Sequence, residues 1–215
     1  MEELVGRWWH QALLRMTAPR YAASAAHLPE VQKSIGIMFR AAGGTHSLRL
    51  TQSTAQRTGG QRHWLQRVAG GGDRAALPVL EPQVLALPPT LDVFADVALN
   101  RDLYLWLALL SAHFPGSALG HEDAHAASAH TPSWIALNQR ATRRALQAFP
   151  GFVARYQTLC QAHLAQRPQP YALPAAAACA ERAVQMALRD SATTVATAVA
   201  PSEVAAVWLW LVPGV

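Results

Sequence analysis

The chain has 215 residues, 51% of them hydrophobic and 14% charged: enough apolar side chain for a buried core, and too little charge for extended disorder. Its longest apolar runs, Leu103–Leu110 and Val204–Val212, fall short of the ~20 residues a membrane-crossing helix needs, and the acidic opening Met1-Glu2-Glu3 lacks the pattern of a secretory leader. Eighteen basic against thirteen acidic residues give a formal charge of +5; all but Lys33 of the eighteen are arginine, and no glycine-rich loop precedes Lys33, which excludes a P-loop nucleotide engine.

Residues 2–16 place Leu4, Val5, Trp8, Trp9, Leu13 and Met16 at helical spacing, which predicts an amphipathic helix ended by Pro19. A second helix is predicted from Pro29 to Ala42. Proline suits its first turn, Val31, Ile35, Met38 and Phe39 form its stripe, and Gly43-Gly44 stop it. The pattern then changes. Ser47–Thr51 alternates as a half-buried strand would. Glycine clusters at Gly59-Gly60 and Gly70-Gly71-Gly72 bracket Trp64, Leu65 and Val68. Val79, Leu80, Val84 and Leu85 stand among prolines, which suits edge strands. A small β element is therefore expected around residues 46–88.

Asn100 is expected to cap a helix with Asp102 in its first turn. Leu103–Leu110 is apolar all round, as in a buried central helix, and Pro115-Gly116 should end it. Thr131-Pro132 opens another predicted helix, with Trp134, Leu137, Ala141, Ala145 and Phe149 inward and Arg140, Arg143, Arg144 and Gln147 opposite. After Pro150-Gly151, Phe152–Gln166 resumes with Phe152, Tyr156, Leu159 and Cys160 inward, and Ala175–Leu188 reads as an alanine-rich helix. Residues 204–212 suit strand or helix alike. Cys160 and Cys179 lack CxxC spacing and read as small core hydrophobes in a reduced, cytoplasmic compartment. Most of the tryptophans fall in apolar stripes and are expected to pack in the core. The fold class is mainly α, as a single domain over residues 1–215.

One string invites a catalytic reading. His121-Glu122-Asp123-Ala124-His125 matches the zinc-protease pattern HExxH, which sets two imidazoles one turn apart around a metal with a glutamate to polarise its water. It follows Pro115-Gly116-Ser117 and Gly120, and His130 falls nine residues after His121 where the extended motif wants ten. The next carboxylate is Glu181. A solvated connection between helices is the simpler reading, with a zinc hydrolase using His121, Glu122 and His125 as the enzymatic alternative. The basic pI also raises nucleic-acid binding, although the arginines are scattered. No GxSxG elbow or dinucleotide fingerprint is present, so no catalytic, cofactor-binding or metal residue is assigned. Arg140, Arg143 and Arg144 are the candidate contacts to an acidic partner.

Ordered motifs go further. Met1-Glu2-Glu3-Leu4-Val5-Gly6-Arg7-Trp8-Trp9-His10, Phe39-Arg40-Ala41-Ala42-Gly43-Gly44, Trp64-Leu65-Gln66-Arg67-Val68-Ala69-Gly70, Asn100-Arg101-Asp102-Leu103-Tyr104-Leu105-Trp106-Leu107 and Phe149-Pro150-Gly151 together resemble the N-terminal region of the CbbO/NorD family. The resemblance implies a non-catalytic adaptor of a hexameric MoxR-type AAA+ ATPase, cut from a longer protein whose von Willebrand A domain, with its divalent metal site, lies elsewhere. ATP is bound by the ring and no cofactor by this domain. The CbbO type is preferred, in which the ring and adaptor free Rubisco from inhibitory sugar phosphates. The alternative is the NorD type, which supports activation or assembly of nitric oxide reductase.

Overall fold

The computed structural model describes residues 21–44, 49–53, 78–81, 84–114, 133–193, 195 and 199–213. The helix expected over 2–16, the glycine clusters and the His121–His125 string lie outside them. Five α-helices and six short strands make up the described part, in keeping with a mainly α fold carrying a small β element.

Strand β1 (Ala26–His27) leads directly into α1 (Leu28–Ala41). Val31, Ile35 and Phe39 bury one face of α1, as their spacing predicts. The helix ends where Gly43 takes a positive φ of 84°. The Gly43 N–H then reaches the Arg40 carbonyl at 3.0 Å and the Gly44 N–H reaches that of Phe39 at 2.9 Å. This paired closure requires a residue without a Cβ penalty at its left-handed position.

The remaining strands are β2 (Arg49–Gln52), β3 (Val79–Glu81), β4 (Val84–Leu87), β5 (Thr90–Leu91) and β6 (Val212–Pro213). β5 pairs antiparallel with β1. The others form a four-stranded sheet in the order β2-β4-β3-β6, with β4 parallel to β2 and antiparallel to β3, and β3 parallel to β6. The expectation of edge strands around Val79–Leu87 is corrected here: β3 and β4 are the two inner strands. Pro78 and Pro88 fall just outside them, so neither inner strand loses an N–H, and among the described residues the one proline within a strand, Pro213, lies on the edge strand β6.

The central helix is α2 (Val97–Ala112), buried along almost its whole length from Leu103 to Ala112, with α1, α3 (Trp134–Ala148) and α4 (Val153–Gln166) packed around it. Its N-cap is Asp96, whose carboxylate accepts from the Ala98 N–H at 2.8 Å. Asn100, expected as the cap, instead lies inside the helix and is fully buried. Its amide accepts from the Phe94 N–H at 2.9 Å and donates to the carbonyls of Phe94 and Ser24, each at 2.8 Å. A residue type able to cap a helix serves here to pin two loops. The helix ends at a His113 C-cap, before Pro115.

Helix α5 (Ala175–Arg189) packs against α3 and α4. Trp106 lies against Tyr156 and Phe152 of the α4 region, with centroids 4.3 and 6.0 Å away. Trp134 meets Trp210 edge-on at 5.2 Å. These three tryptophans are core residues, as expected. Cys160 is buried, but Cys179 is exposed on α5, which corrects its assignment to the core: the alanines beside it supply the buried face instead. Residues 204–211 are neither helix nor regular strand, yet Val207, Leu209, Trp210 and Leu211 are buried.

Candidate functional site

The described residues use their polar side chains chiefly to hold chain segments together. The block Asn100–Trp106 is the clearest case. Besides the bonds of Asn100, the Tyr104 hydroxyl donates to the Pro88 carbonyl at 2.7 Å and the Trp106 indole donates to that of Leu209 at 2.9 Å. Arg101 stands 3.9 Å from Glu30, and Asp102 accepts from Arg155 at 3.3 Å. Partial burial raises the Asp102 carboxyl above its ordinary range, with Arg155 pulling the other way. Burial likewise raises the Tyr104 phenol.

Three helices grip residues 204–211 through main-chain atoms. On α3, Asn138 pairs with Leu211 as a neighbouring strand would: its amide oxygen accepts from the Leu211 N–H at 2.9 Å and its nitrogen donates to the Leu211 carbonyl at 3.1 Å. The Trp134 indole donates to that carbonyl at 2.8 Å. The third grip comes from Arg167, at the end of α4. Its guanidinium forms a two-pronged contact with Glu181 of α5, Nε to Oε1 and Nη2 to Oε2, both 2.7 Å. It also donates to the carbonyls of Ala205 and Ala206 at 3.3 and 3.2 Å. Gln185 completes the cluster, donating to Glu181 and to the Pro168 carbonyl, each at 2.9 Å.

His163 lies 3.2 Å from Nη1 of Arg167. A guanidinium only donates, so the imidazole Nε2 accepts and its proton sits on Nδ1. Burial first, and the neighbouring Arg167 cation second, hold this histidine well below its usual titration range and therefore neutral. The sequence reading missed the cluster. One signal was available: Glu181 and His163 occupy inward positions of their helices, in register with Ala178 and Val184 on one and Tyr156, Leu159 and Cys160 on the other.

The candidate partner-binding arginines lie together on α3, but they are half-buried instead of fully solvated. Arg143 donates to the carbonyls of Ser191 and Ala192, just past α5, at 2.9 and 3.1 Å. Gln139 reaches the same turn through the carbonyls of Asp190 and Thr193. Arg140 and Arg144 are also engaged in contacts, and Arg144 helps burial lower the His113 titration. The arginine face is thus joined to the end of α5 by direct bonds. Among the described residues no group of three or more histidine, cysteine or carboxylate side chains converges as a metal site would require, and no helix is long and apolar enough to cross a membrane. His121, Glu122 and His125 are outside the described residues.

Comparison with known proteins narrows the reading. The chain is 36% identical over 190 residues to the protein NorD of Stutzerimonas stutzeri, covering 88% of this chain and 29% of that protein. It is 34% identical over 172 residues to the NorD of Brucella abortus, covering 79% of this chain and 26% of the relative. The chain is related to the NorD proteins. An uncharacterised protein of Pseudomonas aeruginosa is 36% identical over 217 residues, which takes in all of this chain and 33% of that protein. The chain spans about a third or less of the length of these curated relatives. No family model matches it, and no solved structure matches it significantly.

Proposed function

We propose that this chain is part of a NorD-type accessory protein that supports the activation or assembly of nitric oxide reductase. Its relationship to NorD, at 34–36% identity over most of its length, is the observation that carries the reading. This replaces Rubisco, the target preferred from sequence motifs alone, because the relatives that bear a specific name are NorD proteins. The chain acts in the cytoplasm without making or breaking bonds, as a rigid link to a MoxR-type ring ATPase. Buried pins from α2, α3 and α4 to one carboxy-terminal segment suit such a link, since they leave few independently moving parts. The α3 arginines, Arg140, Arg143 and Arg144, form part of the surface offered to the ring.

Deleting the gene that encodes this chain should lower whole-cell consumption of nitric oxide while the reductase polypeptides remain at normal abundance, and the intact gene should restore it. Unchanged nitric oxide consumption, together with Rubisco trapped in its inhibited form, would overturn the proposal in favour of the CbbO type.

A further inference from the structure

The outward side of α5 combines apolar and cationic groups with no carboxylate. Ala175, Cys179, Arg182, Met186 and Arg189 are all exposed and recur at alternating steps of four and three residues, the spacing of a seam along which helices pack side by side. Met186 is 54% exposed, and Tyr171, in the turn that leads into the helix, is 87% exposed. Single exposed apolar residues are ordinary, whereas several along one face mark a contact surface. Methionine suits such a surface because its unbranched thioether adapts to its neighbour.

Among the described residues no carboxylate forms an ion pair with Arg182 or Arg189. Of the two acidic residues adjacent to them in sequence, Glu181 is buried against Arg167, and Asp190 is exposed past the end of the helix with its carboxylate turned to the Thr193 hydroxyl and the Ala192 N–H. Arg182 and Arg189 flank Met186 by one turn on either side. Just past the end of this helix, the bonds from Arg143 to Ser191 and Ala192 tie the turn to α3.

We propose that the face formed by Cys179, Arg182, Met186 and Arg189 receives an acidic amphipathic helix on a subunit of the ring ATPase, with carboxylates beside the two arginines and an apolar residue against Met186. The inference rests on the ring partnership proposed above and gives it a docking surface. Charge complementarity fixes the occupant: an arginine-flanked apolar stripe selects a carboxylate-flanked one and repels a basic one.

The test measures affinity of the full protein for a purified MoxR-type ring ATPase from the same organism. R182E/R189E should weaken binding at least tenfold at ~0.15 M salt, with a loss that shrinks as salt rises. M186S should weaken it by about threefold or more at any salt, following lost apolar contact. Q157E/Q161E, on the exposed face of α4, should bind as the unaltered protein does. All three variants alter exposed positions, so far-UV circular dichroism should stay unchanged, and R182E/R189E should lower the melting temperature only slightly, from a carboxylate replacing Arg189 in the last turn of α5. If the unaltered protein binds the ring and R182E/R189E binds within twofold of it, the docking surface is refuted while the partnership stands. If the unaltered protein does not bind the ring, the partnership falls and the docking surface with it.

Discussion

Replacing Arg167 by methionine tests the buried cluster most directly. The side chains of Arg167 and Glu181 are 1% and 2% exposed, so the interaction is almost free of solvent screening. R167M strips the Glu181 carboxylate of two charge-assisted bonds and leaves it Gln185 alone as donor. It also removes the guanidinium from the carbonyls of Ala205 and Ala206. Breaking a buried pair by removing one partner costs about 3–5 kcal/mol, a large share of the ~5–15 kcal/mol that holds a typical domain folded. E181M should cost a similar amount. R167M/E181M leaves neither charge stranded, so it should cost less than the sum of the singles by about 2–3 kcal/mol. Urea unfolding followed by the fluorescence of the buried Trp106, Trp134 and Trp210 reads all four corners of this cycle. An R167M cost below ~1 kcal/mol, or strictly additive singles, would show that the pair is solvated and refute the reasoning.

Two further outcomes are expected. His163 is held neutral by burial and by Arg167, so the unfolded chain takes up a proton that the folded one refuses: stability should fall as pH drops below ~6.5, by up to ~1.4 kcal/mol per pH unit from this group. Urea midpoints measured from pH 7 to pH 5 should fall less steeply in H163Q, and an identical slope would exclude His163 as a source. Cys160 is buried and its thiol is pushed up to about 11, whereas Cys179 is exposed; a thiol reagent at pH 8 should therefore titrate one group rapidly in the folded protein and the second only on unfolding, and C179S should abolish the rapid phase.

Local patterns carried the helices well. The stripe of α1, its glycine stop and the all-round apolar character of α2 are properties of short windows, and the structure repeats them. The start of α2 was less legible because Asp96 and Asn100 are both able to cap, and only the folded neighbours of Asn100, at Ser24 and Phe94, distinguish the two roles. The path of residues 204–211 was not legible at all: its hydrogen-bond partners sit on α2, α3 and α4, from about 40 to more than 100 residues away. The Arg167–Glu181 pair spans a helix break, and its members become neighbours only when α4 and α5 pack. Met186 and Arg189 escaped notice for the opposite reason, since an exposed methionine stands out only once the inward face is known.

The grip on residues 204–211 carries a mechanical consequence. Because Trp106, Trp134, Asn138 and Arg167 grasp peptide groups of that stretch while Leu209, Trp210 and Leu211 bury their side chains in the core, its route is fixed through backbone and side chains together. A pull on it has to break contacts with three helices before the stretch comes free.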